Sequence, residues 1–530
     1  MSRSNVSVFE NALKSTLNDE VSVTENGAAG FKTSGSKLLD INFAVSSLRS
    51  MSEKDVAAKF ANAFYENPLL AVKWMFMLRD IRGNGMGERR SFRICFNWLA
   101  NTRPEVAKKL VKLVADYGRF DDLFVLFGTS LEKDVIDYID NQWSDDLADM
   151  KEGNPVSLLA KWMPSINTSS AETVAKARKI AAALNLSEKQ YRKSLAKLRA
   201  YLKVIEVKMS AKQWNEIDYE AVPSKANIKY NAAFLRNDET RRRAFLGALE
   251  KGEAKINSSA NFPCDIVHSY CKDGCYGWRQ SRVTKDLALE ALWNALPDYT
   301  KGLNTSSTIV VADGSGSMTS TVSVGTRMNA LEVANSLAIY FAEKLEGVFK
   351  NKYITFSERP QYVDFTMANS LAEKLNISFQ HAECANTNVE AVFDLLLESA
   401  VRNNLKQEDI PANVLIVSDM EFDQGTSWGG RNCYWDHSYS AKRNSLFESI
   451  KRKWQNAGYK LPRLVYWNVC SRTGTIPLQQ NDLGVALVSG FSPAIAQMVF
   501  SAKLDPYEIL VDALNAPRYK AIETAVADVL

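Results

Sequence analysis

Hydrophobic and polar positions along this chain follow two different rhythms, which meet near residue 303. From about residue 41 to 300 the apolar positions recur at helical spacing: Phe60, Phe64, Leu69, Val72, Phe76 and Leu78, with a break near Pro68. After the turn-prone Gly83-Asn84-Gly85 come Phe92, Cys95, Phe96 and Leu99. Pro104 then opens a further helix through Leu110, Leu113 and Val114. Short helices joined by short Gly, Pro or Asn connections predict stacked helical pairs, an α-solenoid of the HEAT-like kind. No fixed-period repeat is visible, so the pairs should be irregular. Beyond Leu303 the rhythm changes. Buried-type runs at Thr308–Ala312, Tyr353–Phe356, Val414–Ser418, Leu464–Val469 and Val485–Val488 predict strands. Helices fall between several of them: one carrying Leu331, Ala334, Ala338, Phe341 and Leu345, then Val389–Arg402 and Ser445–Asn456. Apolar strands alternating with helices predict a mostly parallel sheet covered on both faces. Residues 1–40 are polar and broken by Asn26-Gly27 and Ser34-Gly35-Ser36, which reads as a flexible or loosely docked arm. The expected organisation is therefore an arm over 1–40, an irregular helical-repeat domain over 41–302, and a doubly wound α/β domain with C-terminal helices over 303–530.

Composition narrows the class without naming a function. The 530 residues are 46% apolar and 24% charged, enough for two separate cores. A net charge of +4 is too small to imply a nucleic-acid partner unless the charge is concentrated locally. No apolar stretch is long enough to span a membrane, and the first twenty residues lack the apolar core of a secretory signal. Seven scattered cysteines suit free thiols in a reducing compartment, so a cytoplasmic protein is expected.

Asp313-Gly-Ser-Gly-Ser317 directly follows the first strand of the α/β domain. In a doubly wound sheet that is the carboxyl edge, where ligands sit. The spacing lets Ser315 and Ser317 turn their hydroxyls to one point while Asp313 supplies charge, and glycines 314 and 316 permit the tight fold. Taken alone, the segment also fits an ordinary Gly/Ser turn. Hard oxygen donors with little charge suit Mg2+, or another divalent ion such as Mn2+ or Ca2+. The pattern resembles the metal-ion-dependent adhesion site of von Willebrand factor A domains. That resemblance implies two further ligands: Thr387, in Ala385-Asn-Thr-Asn388 ahead of a helix, and Asp419, at the end of Val414-Leu-Ile-Val-Ser-Asp419. The usual Gly-Thr is Asn386-Thr387 here. Asp423 reads as a solvated loop carboxylate. No poised base or nucleophile accompanies the motif, so a binding device is expected rather than an enzyme.

Charge in the helical half is concentrated. Eleven Lys and Arg residues lie between Lys176 and Lys212 against only Glu188 and Glu206. Lys189, Arg192, Lys193, Lys197, Arg199 and Lys203 fall at helical spacings, so a cationic face able to follow a phosphate backbone is expected. An ordinary solvated face has the same composition. Tyr191 and Tyr201 could stack on bases, although core packing suits them better. A second cluster, Arg79-Asp-Ile-Arg82-Gly-Asn-Gly-Met-Gly87-Glu-Arg89-Arg90, reads as a helix–helix corner whose arginines bridge helices or meet phosphate. Cys264, His268, Cys271 and Cys275 suggest zinc only superficially. On one helix the outer two would stand roughly 16 Å apart.

Phe76-Met-Leu-Arg-Asp-Ile-Arg-Gly83, Tyr117-Gly-Arg-Phe-Asp-Asp122, Trp162-Met-Pro164 and Val222-Pro-Ser224 resemble segments of the Ro autoantigen (TROVE-module) family. These segments, and with them Ser418-Asp-Met-Glu-Phe-Asp423 and Val488-Ser-Gly-Phe-Ser-Pro493, resemble still more closely a branch of it with the same layout. The resemblance implies a helical domain closed into a ring, an A domain bridging its ends, and RNA held on the outer basic surface. The matching residues here run from Tyr191-Arg192-Lys193 through Arg199. The leading expectation is a non-catalytic protein binding small structured or single-stranded RNA. The alternative is a protein-interaction scaffold whose metal captures an acidic residue from a partner such as an ATPase. A metal-dependent nuclease stands further off.

Overall fold

In this computed structural model the described residues are 21–271, 282–323, 326–423, 446–477 and 485–530. They divide into two compact units that interleave along the chain. One gathers the described residues of 1–52, 262–286 and 298–513; the other gathers 53–261, 287–297 and 514–530.

The first unit is built on a six-stranded sheet. A small antiparallel hairpin, β1 (Val21–Val23) and β2 (Ala29–Phe31), precedes it in sequence. The sheet strands are β3 (Thr308–Asp313), β4 (Lys352–Phe356), β5 (Gln361–Asp364), β6 (Asn413–Ser418), β7 (Arg463–Asn468) and β8 (Val485–Ser489). Their order is β5-β4-β3-β6-β7-β8, parallel throughout except for β5 at the edge. All six residues of β3 are buried, which is why its sequence is a continuous apolar run rather than an alternation. From β3 the chain goes first to β4 on one side and later to β6 on the other. The carboxyl ends of β3 and β6 therefore flank the crevice where strand order reverses. The Ala330–Lys344 helix packs against β3, and every residue from Ala330 to Ala342 is buried. Asn329 starts it by accepting the Glu332 N–H at 2.8 Å. The helix expected from Ser445 runs over Leu446–Asn456; Ser445 itself lies outside the described residues.

Residues 21–40 are part of this unit, which corrects the expectation of a flexible arm; residues 1–20 lie outside the described residues. Gly27, at φ 91°, closes the hairpin, and Phe31 exchanges two backbone hydrogen bonds of 2.8 Å with Ile476. Ser36 then caps the Lys37–Phe43 helix, which buries Leu38, Leu39, Ile41 and Phe43 against β8. Polar links complete the docking: Asn468 Nδ2 donates to Phe43 O at 2.8 Å, and the Ser46 N–H donates to Ser489 Oγ at 3.0 Å. The polar character of 21–40 comes from caps and turns that satisfy the backbone of a docked segment.

The second unit, among the described residues, is helical. Its helices come in contacting pairs: Glu53–Glu66 with Pro68–Arg79, Arg90–Thr102 with Pro104–Leu110, Ala171–Ala183 with Glu188–Tyr201, and Ser224–Asn237 with Glu239–Glu250. Asn67 supplies the break expected near Pro68, its Oδ1 accepting from Leu70 N at 3.0 Å. Phe60, Trp74, Phe76 and Phe92 form a fully buried aromatic core. The second arginine cluster bridges elements here. Arg79 Nε donates to the buried Asp122 at 2.7 Å, and Arg82 Nε donates to Gly118 O at 3.3 Å. Residues 514–530 also belong to this unit and not to the sheet, a second departure from the single cut at 302/303. Ile522 and Val526 are buried, Lys73 pairs with Glu523 at 2.6 Å, and Tyr117 stacks on Tyr519. Among the described residues no helix is long and apolar enough to cross a membrane.

Candidate functional site

The five residues picked out at the sheet edge come together. Asp313 ends β3 and Asp419 follows β6, and both are essentially without solvent exposure, as are Ser315 and Thr387. The Ser315 N–H donates to Asp313 Oδ1 at 2.9 Å, and Ser418 Oγ donates to Asp313 Oδ2 at 2.5 Å. The Ser315 and Ser317 hydroxyls lie 3.0 Å apart. Thr387 reaches the same edge because its segment is laced to the Gly/Ser turn. Gly316 N donates to Ala385 O at 2.8 Å, and Cys384 N donates to Gly314 O at 3.0 Å. These close approaches explain the two glycines: a Cβ on Gly314 would meet Thr355 Oγ1 at 2.9 Å, and one on Gly316 would meet Cys384 O at 3.2 Å. Met420, beside Asp419, and Cys384 both hold left-handed backbone conformations (φ 63° and 51°). Such strain persists only where surrounding contacts enforce it.

Burial raises the Asp313 carboxyl above the usual range, and Ser418 and Ser315 hydrogen bonds oppose that only in part. Asp419 is raised by burial and then by the Asp313 charge. Two buried carboxylates with the Ser315 and Ser317 hydroxyls, and Thr387 held at the same edge, form an all-oxygen donor set with no compensating buried cation among the described residues. That is the chemistry a hard divalent ion fits, with Asp313, Ser315, Ser317, Thr387 and Asp419 able to hold it. Asp423 is half-buried rather than solvated. Its N–H donates to Thr387 O at 3.0 Å, and burial raises its carboxyl.

Three neighbours were not read from the sequence. Glu421 is wholly buried and accepts from Glu25 N and Arg472 N, each at 2.8 Å, and from Thr473 N at 2.9 Å. Asn26 Nδ2 donates to Thr387 Oγ1 at 3.1 Å and to Glu421 O at 2.7 Å. Arg472 reaches Asp419 Oδ2 at 3.4 Å. The Asn26-Gly27 hairpin signal was the one available clue; nothing local links 421 to 471–473.

The cationic face of the Glu188–Tyr201 helix divides in two. Lys189, Arg192, Lys193 and Lys197 are exposed along it, with Lys203 just beyond, and no ion pair or hydrogen bond engages these five side chains among the described residues. The nearby acids are engaged elsewhere, Glu188 with Arg178 at 2.9 Å and Glu206 with Tyr230 at 3.1 Å. Arg199 does not belong with them. Its guanidinium donates to Ala160 O at 2.9 Å, Met163 O at 2.7 Å and Ser165 Oγ at 2.7 Å, and burial lowers its pKa. Shared helical spacing could not reveal that the short Leu159–Trp162 helix and the turn after it wait for one of the arginines. Tyr191 is core, stacked on Trp143 at 5.5 Å and donating to Pro164 O at 2.8 Å. Arg199→Ala should lower unfolding free energy by about 2 kcal/mol, because the Ala160 and Met163 carbonyls lose their donor. Urea denaturation measures this, and a loss below about 0.5 kcal/mol contradicts the structural role.

The zinc reading gains nothing. His268 Nδ1 bonds Glu332 Oε2 at 2.6 Å, Cys264 and Cys271 are buried thiols, and Cys275 lies outside the described residues. Among the described residues no group of three or more His, Cys, Asp or Glu is placed to hold a metal, so a metal here would need the hydroxyls.

The family model described as Domain of unknown function (DUF7788) matches residues 307–512, and Domain of unknown function (DUF2828) matches 24–117 and 171–301. An uncharacterized protein of Acanthamoeba polyphaga mimivirus is 30% identical over 543 residues, covering 93% of this chain and 87% of the relative. The chain belongs to the family of that viral protein. Within this family's two matched domains, the sheet-edge residues fall in the first, while Glu25, Asn26 and the cationic helix fall in the second. The solved Ro (RSR) protein of Deinococcus radiodurans is also similar, with a TM-score of 0.38 and 14% identity over 87% of this chain and 92% of that one.

Proposed function

We propose that this is a non-catalytic RNA-binding protein whose helical unit follows a phosphate backbone along Lys189, Arg192, Lys193, Lys197 and Lys203, and whose sheet edge holds Mg2+. The observation that carries the reading is that, among the described residues, these five exposed cations have no ion-pair or hydrogen-bond partner, in a segment whose acids are engaged elsewhere. A merely solubilising face ordinarily interleaves both signs. The motif resemblance to Ro proteins supplies RNA as the polyanion. The metal would be held by Asp313, Ser315, Ser317, Thr387 and Asp419, offering a Lewis-acidic position at the crevice mouth. A second reading, a scaffold that takes an acidic partner residue on that metal, draws on the same buried oxygen set.

Filter binding of a small structured RNA between 50 and 200 mM salt is the direct test. Five phosphate contacts give a log–log slope of roughly −3 to −5. No retention at the lowest salt, or a slope near zero, removes RNA binding and leaves the scaffold.

A further inference from the structure

We propose that Arg472 is a built-in cation that competes with the divalent metal for Asp419, and that Glu25 sets how strongly it competes. The inference rests on the metal reading above. Four groups meet the Arg472 guanidinium. Nη1 donates to Ser320 Oγ at 2.8 Å and to Ser317 O at 3.2 Å. Nη2 pairs with Glu25 Oε2 at 2.5 Å and with Asp419 Oδ2 at 3.4 Å. Two of these contacts, at Ser317 and Asp419, lie on residues assigned to the metal. The guanidinium therefore stands at the mouth of the site.

The arrangement is held from beneath. Glu421, without solvent exposure, fixes the Arg472 N–H through one carboxylate oxygen and the Glu25 N–H through the other, each at 2.8 Å. One buried anion thus positions both main chains so that their side chains meet above the edge. Asn26 ties the same hairpin tip to the Thr387 hydroxyl at 3.1 Å. The contact is consequently more ordered than a pair of free surface side chains, whose worth is small.

The distances indicate which way the exchange runs. Asp419 is the weaker holder of the guanidinium and Glu25 the stronger, and the Arg472 side chain is 34% exposed, so solvent reaches it. A divalent ion settling beside Asp419 repels the guanidinium, which already has Glu25 and Ser320 to retain it. Glu25 favours the ion by drawing Arg472 off Asp419. Without Glu25 the arginine falls back on Asp419 and blocks the ion.

Mg2+ titration of the full chain by calorimetry tests this with wild type, Arg472→Gln, Glu25→Gln and the double variant, each checked for an unchanged melting profile. Arg472→Gln should bind Mg2+ roughly tenfold more tightly and Glu25→Gln several-fold more weakly, with the double variant matching Arg472→Gln. Arg472→Lys, which keeps the charge on a shorter reach, should fall between wild type and Arg472→Gln and provides a second route if the Gln variant folds poorly. Equal or weaker binding by Arg472→Gln, with binding still abolished by Asp313→Ala, overturns the competition and leaves the metal site standing. A double variant that binds as weakly as Glu25→Gln overturns the assigned role of Glu25, because its carboxylate would then act on the ion directly. Binding absent in both wild type and Arg472→Gln, or surviving Asp313→Ala, removes the metal reading and this inference with it.

Discussion

Reversing charge on the exposed ridge, with Arg192→Glu, Lys193→Glu and Lys197→Glu together, should weaken RNA binding by roughly a hundredfold or more at 150 mM salt. Five cations along the Glu188–Tyr201 helix and just past its end become two cations and three anions. The loss should appear in the salt dependence as well as in affinity. Three lost phosphate contacts reduce the log–log slope by roughly 2 to 3. Stability should scarcely move, because all three side chains are exposed and have no partner among the described residues. Arg199 is deliberately left intact, since its replacement would disturb the 160–165 segment and confuse folding with binding. Filter binding with a melting curve on the same samples reads both quantities. Undiminished affinity in a well-folded triple variant would falsify the ridge as the RNA contact.

Asp419→Asn should make the metal-free protein more stable at pH 8 while abolishing its response to Mg2+. The sign follows from the direction of the shifts. Burial and the neighbouring carboxylate raise Asp419 above its unfolded value, and burial raises Asp313. Between the unfolded value, about 4, and the higher folded one, the native chain holds protons that the unfolded chain has released. Stability contributed by these groups is present at low pH and falls as pH rises through the folded values. A bound divalent ion restores what ionisation removed, so Mg2+ should raise the wild-type melting temperature more at pH 8 than at pH 5. A gain of about 2 kcal/mol corresponds to roughly 3–4 °C for a unit of this size. The Asn variant should melt above metal-free wild type at pH 8, converge with it near pH 4, and ignore Mg2+ throughout. A wild-type transition unmoved by Mg2+ at either pH contradicts the metal assignment.

Legibility in the sequence tracked how local each cause was. β3, β4, β6, β7 and β8 were placed within a residue or so because strands buried on both faces must be continuous apolar runs. β5 escaped because its four edge residues bury only Val363. The hairpin at 21–31 is hard to see in the sequence because Asn26-Gly27 signals a break and a hairpin turn equally well. At the sheet edge, the spacing within Asp313–Ser317 is local and could be read. Thr387 and Asp419 came from the resemblance, and the structure brings all five to the same edge. Glu421, Arg472 and Glu25 depend on pairings across some 50 and 400 residues, which no window contains. Arg199 illustrates the same limit, since a charged residue at the right helical phase is claimed by carbonyls at and just after a short helix some 40 residues away.

The docking of residues 21–46 onto β8 and the Ile476 segment has a consequence for biosynthesis. Leu38, Leu39, Ile41 and Phe43 are synthesised some 440 residues ahead of Ile476, Leu487 and Ser489, the segment they dock on. At ordinary translation speeds the nascent chain must carry that helix without its partner for roughly half a minute or longer. Chaperone capture during that interval, and premature termination before residue 476, therefore become the principal hazards in producing this molecule.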